Sequence, residues 1–257
     1  MDAIYRIDGN RVETSANAAG PWDSTMQHGS APAALVTWAA EAIPTAVPMQ
    51  VVRVTIDLMR PVPVAPLMVE TEVLREGRKI QLCAVRLFAN KVAVVRATVL
   101  KVRADSLPLP SEIADAAIDV PSPDHGTPLD PRFARNPFVT GLSVSAVRGG
   151  FLHLGPGAIW YRIDRPIVEG AAISQMMRAV VAADFCNGTS AVLDFDRWTF
   201  INADLTVSLS RAPVGDWILL NAETWIGSDG AGIAAGRLGD SKGYFGRAVQ
   251  SLVIEKR

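Results

Sequence analysis

VVRVTIDLMRPVPVAPLMVETEVLREGRKIQLCAVRLFANKVAVVRATVLKV, residues 51–102, can be laid without a gap on NADLTVSLSRAPVGDWILLNAETWIGSDGAGIAAGRLGDSKGYFGRAVQSLV, residues 202–253. The constant offset of 151 pairs Thr55 with Thr206, Leu58 with Leu209, Arg60 with Arg211, Glu72 with Glu223, Ala84 with Ala235 and Arg86 with Arg237. It also pairs Leu87 with Leu238, Lys91 with Lys242, Arg96 with Arg247, Ala97 with Ala248 and Val102 with Val253. These 11 identities in 52 positions exceed the about four that ordinary composition supplies. An internal duplication of this length predicts two pseudo-symmetric units.

Each copy reads as antiparallel strands behind one apolar helix. In the first, Val54, Ile56 and Leu58 share a face opposite Thr55 and Asp57, the period of two that marks a half-buried strand. Further strands are expected over Leu67–Arg75 and Ile80–Val102, the latter broken near Ala89-Asn90. The second copy repeats this over Thr199–Ser210, Trp217–Ile226, Ile233–Leu238 and Tyr244–Ile254, after strand-like runs at Phe138–Val147 and Ala158–Ile163. The helices are expected over Ser30–Ile43, capped by Ser30 and stopped by Pro44, and over Ala171–Cys186, stopped by Asn187-Gly188. Helix-then-strands is α+β rather than a βαβ alternation. One helix wrapped by a curved antiparallel sheet is the hotdog arrangement, whose exposed sheet edge must pair with another unit. The chain is therefore expected to be a double hotdog: residues 1–103, a Pro- and Ala-rich linker over 104–136, and residues 137–257. A short helix can form in the linker around Ser111–Ile118.

Composition removes several classes of function. Of 257 residues, 49% are apolar, enough for a substantial core. A net charge of -1 offers no general attraction to nucleic acid or anionic lipid. Cys83 and Cys186 are too few for a disulfide framework, lack metal-ligand spacing and sit in apolar runs as buried thiols. The polar opening MDAIYRIDGNRVETS lacks signal-peptide order, and no uncharged apolar run reaches ~18 residues, so a soluble, cytoplasmic protein is expected. Gly141 to Ser145 (GLSVS) lacks the last glycine of a nucleophile elbow. Gly227 to Gly232 (GSDGAG) has the wrong glycine order for a dinucleotide loop. His28, His125 and His153 have no ligand spacing, so no metal is expected. Arg75, Arg78 and Lys79 read as a solvated hairpin rather than a phosphate site.

Three polar residues remain where hydrocarbon is expected. Asp184 ends the apolar run AVVAAD, Gln250 shares a strand face with Ala248, Leu252 and Ile254, and Asn202 lies beside Phe200 and Ala203. At the 151 offset their counterparts are Ala33, Val99 and Val51, all apolar. Polar groups on apolar faces need partners or a wet cleft, so this asymmetry places the site in the second copy.

The sequence resembles the acyl-CoA thioesterase II family of fused double hotdogs. The resemblance rests on His28-Gly29 entering the first helix, on LMRPVPVAPLMVETEVLREGRKI (Leu58 to Ile80) and on AVQSLVIEKR (Ala248 to Arg257), and it covers most of the chain outside the linker. It implies hydrolysis of an acyl-CoA thioester by a water that an Asp, a Thr and a Gln of the second hotdog hold. Those positions match Asp184, Asn202 and Gln250, with Asn202 a departure from the family Thr. Asp184 would be the general base, Asn202 and Gln250 would orient the water, and backbone N–H groups at His28-Gly29 would bind substrate as an oxyanion site. No cofactor is implied, and the monomer would be a complete unit with homo-oligomers optional. A hotdog hydratase is the rival enzyme, but its GDxNPxH-like segment is missing. The rival from another class is a non-catalytic acyl-CoA or lipid-binding protein, suggested by Asn202.

Overall fold

Alternation in the first copy builds β3 (Met49–Leu58), in which Val54 and Ile56 are buried while Asp57 is exposed. The computed structural model describes residues 3–110, 112–133, 135–151 and 153–257. Before β3 come β1 (Tyr5–Asp8), β2 (Arg11–Thr14) and α1 (Ser30–Glu41), and after it β4 (Leu67–Glu76), β5 (Ile80–Ala89) and β6 (Val92–Arg103). The second half adds β7 (Thr127–Pro128), β8 (Leu142–Gly150), β9 (His153–Ile163), α2 (Gln175–Ala183), α3 (Cys186–Thr189) and β10 (Trp198–Asn202). It closes with β11 (Asp204–Leu209), β12 (Trp217–Ile226), β13 (Ala231–Asp240) and β14 (Gly243–Lys256).

Among the described residues all the strands join one 14-stranded sheet, β1-β2-β4-β5-β6-β3-β11-β14-β13-β12-β9-β8-β7, with β10 paired to the far end of β14. Reading outward from the β3–β11 seam, both halves run through equivalent strands, β3-β6-β5-β4 and β11-β14-β13-β12. The double hotdog expected from the repeat is the observed fold.

The seam itself is symmetric. Thr206 pairs with Thr55, Leu205 with Ile56 and Val207 with Val54, so the pseudo-twofold axis passes between the two threonines, whose hydroxyls lie 3.4 Å apart. The bulge is duplicated too. The β3–β6 register shifts between Val51 and Arg53, and Ala203, which stands 151 positions after Val52, interrupts β10 and β11. The expected single strand over Thr199–Ser210 is thereby cut in two. A two-residue turn joins β5 to β6, with Asn90 and Lys91 at φ 48 and 67, the geometry that matches hairpin twist.

Several boundaries differ from expectation. The β1–β2 hairpin was not anticipated, because YRID and RVET are short and mostly polar. Helix α1 is capped by Gly29, leaving Ser30 inside the helix. Helix α2 starts at Gln175 behind Ser174, whose hydroxyl accepts the Met177 N–H at 3.1 Å, and Asn187-Gly188 lies within α3 rather than stopping α2. The N-caps are Gly29 and Ser174 and the C-caps Ala42 and Asp184, so the strand offset does not extend into the helices and Ala33 is not fixed as the counterpart of Asp184. Residues 112–118 form no helix, and Ser111 lies outside the described residues. Residues 115–121 instead run across the second half without regular helix. Ala116 bridges Tyr244, Asp119 accepts from Tyr244 and Arg237, and the Trp160 indole donates to Pro121 at 2.9 Å.

The helices pack together inside the curved sheet, and one buried cluster holds Leu35 of α1, Val180 of α2, Val54 of β3 and Val207 of β11. Because that core is shared, denaturant unfolding should show one cooperative transition rather than one per half. Leu205→Ala, at a seam residue only 2% exposed, should cost about 2–5 kcal/mol without splitting it. Two separate transitions in the parent protein would contradict a common core.

Candidate active site

Asp184 is where α2 ends. Its backbone is still helical, but α3 starts only at Cys186, and the break turns the carboxylate toward the first turn of α1. There it meets residues of the other half. The Ser30 hydroxyl donates to Asp184 Oδ2 at 3.0 Å and lies 3.1 Å from the Val181 carbonyl. His28 Nδ1 is 3.2 Å from the same carboxylate oxygen and 3.2 Å from the Ser30 N–H. One nitrogen serves one of these at a time: unprotonated it accepts the amide, protonated it donates to Asp184.

The strands supply the other carboxylate oxygen. The β10–β11 break presents Asn202, whose Nδ2 donates to Asp184 Oδ1 at 3.0 Å. Gln250 of β14 approaches from beneath, fully buried. Its Nε2 donates to the Asp184 backbone carbonyl at 2.9 Å and lies 3.4 Å from Oδ1, while its Oε1 accepts the Asn187 N–H at 3.1 Å. Both ends of the Gln250 amide are thus committed to the α2–α3 break. The three residues singled out in the sequence converge on one carboxylate, but only Asp184 and Asn202 line the adjacent cleft.

His28 and Gly29 line that cleft as well. The imidazole lies between Phe138 and Phe185, at centroid distances of 4.9 and 4.6 Å, which fixes its plane. Gly29 is required by proximity: a Cβ there would sit 2.7 Å from Asp184 Oδ1 and 2.9 Å from Oδ2. Its N–H has no acceptor among the described residues, so a donor at the start of α1 stands free beside the carboxylate.

The cleft measures about 960 Å³. Arg60, Arg132, Arg135 and Arg257 border it, whereas Arg75, Arg78 and Lys79 do not. Cys186 is no nucleophile: burial first, and the Asp184 charge second, push its thiol well above the ordinary range. Among the described residues no cluster of His, Cys, Asp or Glu could hold a metal ion. The related place in the first half has Val51 and Val99 where the second has Asn202 and Gln250, and the smaller cavity there, about 350 Å³, is lined by Glu41, Lys101 and Met176 among others.

Ser30 and the arginines were missed in the sequence. Ser30 beside His28-Gly29 was legible only as a helix cap, since its partner lies 154 positions away. The arginines come from three separate segments, the loop after β3, the loop holding Arg132 and Arg135, and the last residue, which no linear pattern links.

The fold is that of a double hotdog with a buried carboxylate on the wall of its cleft. Residues 18–102 match the model of the acyl-CoA thioesterase N-terminal domain and residues 114–254 that of the C-terminal domain, so the chain belongs to the acyl-CoA thioesterase family. No curated protein matches it significantly. Among solved structures, a candidate thioesterase II from Thermobifida fusca is 17% identical, covers 97% of this chain and 94% of its own, and has a TM-score of 0.79. A conserved hot dog fold protein of unknown function from Alicyclobacillus acidocaldarius is also 17% identical, over 98% and 95%, with a TM-score of 0.78. Acyl-CoA thioesterase II TesB2 from Mycobacterium marinum is 12% identical over 98% and 94%, with a TM-score of 0.68. At these identities the likeness is one of fold.

The close approach of Gly29 and Asp184 can be tested without a substrate. Gly29→Ala should displace the carboxylate and cost about 1–3 kcal/mol, the usual range for overpacking. A crystal structure of the variant with Asp184 unmoved, together with parental stability, would show that the contact is slack.

Proposed function

We propose that the protein hydrolyses an acyl-CoA thioester to the free carboxylic acid and coenzyme A, with Asp184 as general base. The observation that carries this reading is the Asp184–Asn202 contact of 3.0 Å on the wall of the cleft, with the free Gly29 N–H beside it. A thioester carbonyl has weaker resonance stabilisation than an ester, so an oriented water suffices as nucleophile.

In this reading a water bridges Asp184 and the Asn202 side-chain oxygen. Asp184 takes its proton as the water oxygen attacks the carbonyl carbon. The Gly29 N–H meets the negative charge that gathers on the carbonyl oxygen. The carbon–sulfur bond then breaks, coenzyme A leaves as its thiolate, and the proton held by Asp184 restores the thiol. Gln250 is a positioning residue, because its amide holds the α2–α3 break rather than the water. Ser30 fixes the second carboxylate oxygen, and His28 lies against it. Asn202 replaces the family Thr with a group that still both donates and accepts. The arginines at the border of the cleft suit the phosphates of coenzyme A.

The site draws Asp184, Asn202 and Gln250 from residues 137–257 and His28 and Gly29 from residues 1–103. One chain is therefore a sufficient catalytic unit, with homo-oligomers optional. Among the described residues no helix is long and apolar enough to cross a membrane, and a cytoplasmic location is part of this reading.

Asp184→Asn keeps the shape and removes the base, and should lower turnover about 10²-fold or more. Gln250→Ala should lower it less, and Asn202→Thr should preserve or raise it. Thiol release from a panel of acyl-CoAs measures all three, and an Asp184→Asn enzyme working at the parental rate would overturn the assignment.

A further inference from the structure

The phenylalanines of this chain are concentrated around one place. Of its 8 phenylalanines, Phe133, Phe151, Phe185, Phe195 and Phe200 line the cleft, and Phe138 stacks on the cleft-lining His28. The rings form a continuous wall. It starts at Phe185, the residue after Asp184, whose ring is 4.6 Å from that of His28. It passes to Phe151 at 6.2 Å, to Phe133 at 5.2 Å and to Phe195 at 5.9 Å. It ends at Phe200 and Trp22, which lie 4.7 and 5.9 Å from Phe195, with the Arg257 guanidinium 5.3 Å from the Trp22 ring.

A core would bury these rings fully, and the fold does so for Phe185 and Phe200. Trp22, Phe133, Phe151 and Phe195 are only half-buried although they border the cavity. Gly188 makes room for one of them, since a Cβ there would meet the Phe151 ring at 2.9 Å. Phe185 is itself packed between His28 and Tyr161, whereas the contacts among Phe151, Phe133 and Phe195 are tilted or T-shaped, which leaves these half-buried rings able to take a further ring.

Given hydrolysis at Asp184, on which this inference rests, we propose that the acyl group of the substrate is aromatic, an arylacyl or aroyl thioester rather than a straight-chain one. The wall starts beside the reacting carbonyl, so the group bonded directly to that carbonyl meets it first. The pantetheine arm keeps the adenine far from the reacting carbon. One face of the Trp22 ring is already taken by the Arg257 guanidinium. A straight alkyl chain gains burial from such a wall, whereas an aryl group gains burial and one or more ring pairs, each worth roughly 2- to 12-fold in affinity.

The test compares kcat/KM for phenylacetyl-CoA and octanoyl-CoA, which have the same acyl carbon count, and for their N-acetylcysteamine analogues, which lack adenine. The aryl thioester should be favoured at least about tenfold with either carrier. Phe151→Leu and Phe133→Leu, which keep an apolar side chain and remove the ring, should each bring the aryl-to-alkyl ratio toward one. Equal or better hydrolysis of octanoyl-CoA by the parent overturns the aromatic assignment and leaves the thioesterase reading standing. An aryl preference confined to the coenzyme A esters would assign the rings to adenine and overturn it too. A folded protein that releases thiol from none of these esters overturns both readings.

Discussion

Thr55 and Thr206 face one another where β3 meets β11, and the site depends on that strand pairing. Alone, each half would end in an open sheet edge of unpaired backbone groups. Joined there, the halves share a sheet and bring the first turn of α1 against the end of α2. The carboxylate that the second half supplies is then held by groups of the first half. Loss of the pairing would separate Ser30, His28 and Gly29 from Asp184, and no local substitution could compensate.

The duplicated bulge shows how one element serves two ends. In the first half the irregularity near Val52 carries the apolar Val51, which packs against the core. In the second half the same irregularity at Ala203 turns Asn202 toward a buried carboxylate. One polar substitution at an inherited kink converts a structural irregularity into a site wall. A second, Gln250, satisfies the broken backbone between α2 and α3. The apolar counterparts Val51 and Val99 leave the first half without either group, so the two halves share architecture and divide the labour.

Much of this was legible in the sequence because the signals were local or periodic. Val54, Ile56 and Leu58 alternate, the eleven repeated identities keep one offset, and Gln250 interrupts an apolar strand face. The features that escaped it are set by tertiary contacts. The YRID–RVET hairpin carries too little apolar pattern to announce itself. Asn187-Gly188 has the chemistry of a helix stop but sits inside α3, because its backbone N–H and side chain are taken by Gln250 and Phe200. Ser30 has the chemistry of a helix cap and is used instead to hold Asp184. The helix register was misjudged for a related reason: helices within a curved sheet can shift along their axes, whereas paired strands cannot slip without turning every side chain over.

The central claim is that Asp184 takes a proton from water and forms no covalent bond to the acyl group. Single-turnover hydrolysis in ¹⁸O-labelled water, with enzyme in excess over acyl-CoA, tests it most directly. The account predicts the label in the released carboxylic acid after the first turnover and none in the protein. Label in the Asp184 carboxylate, with an unlabelled acid product, would show an acyl-aspartyl anhydride and contradict it.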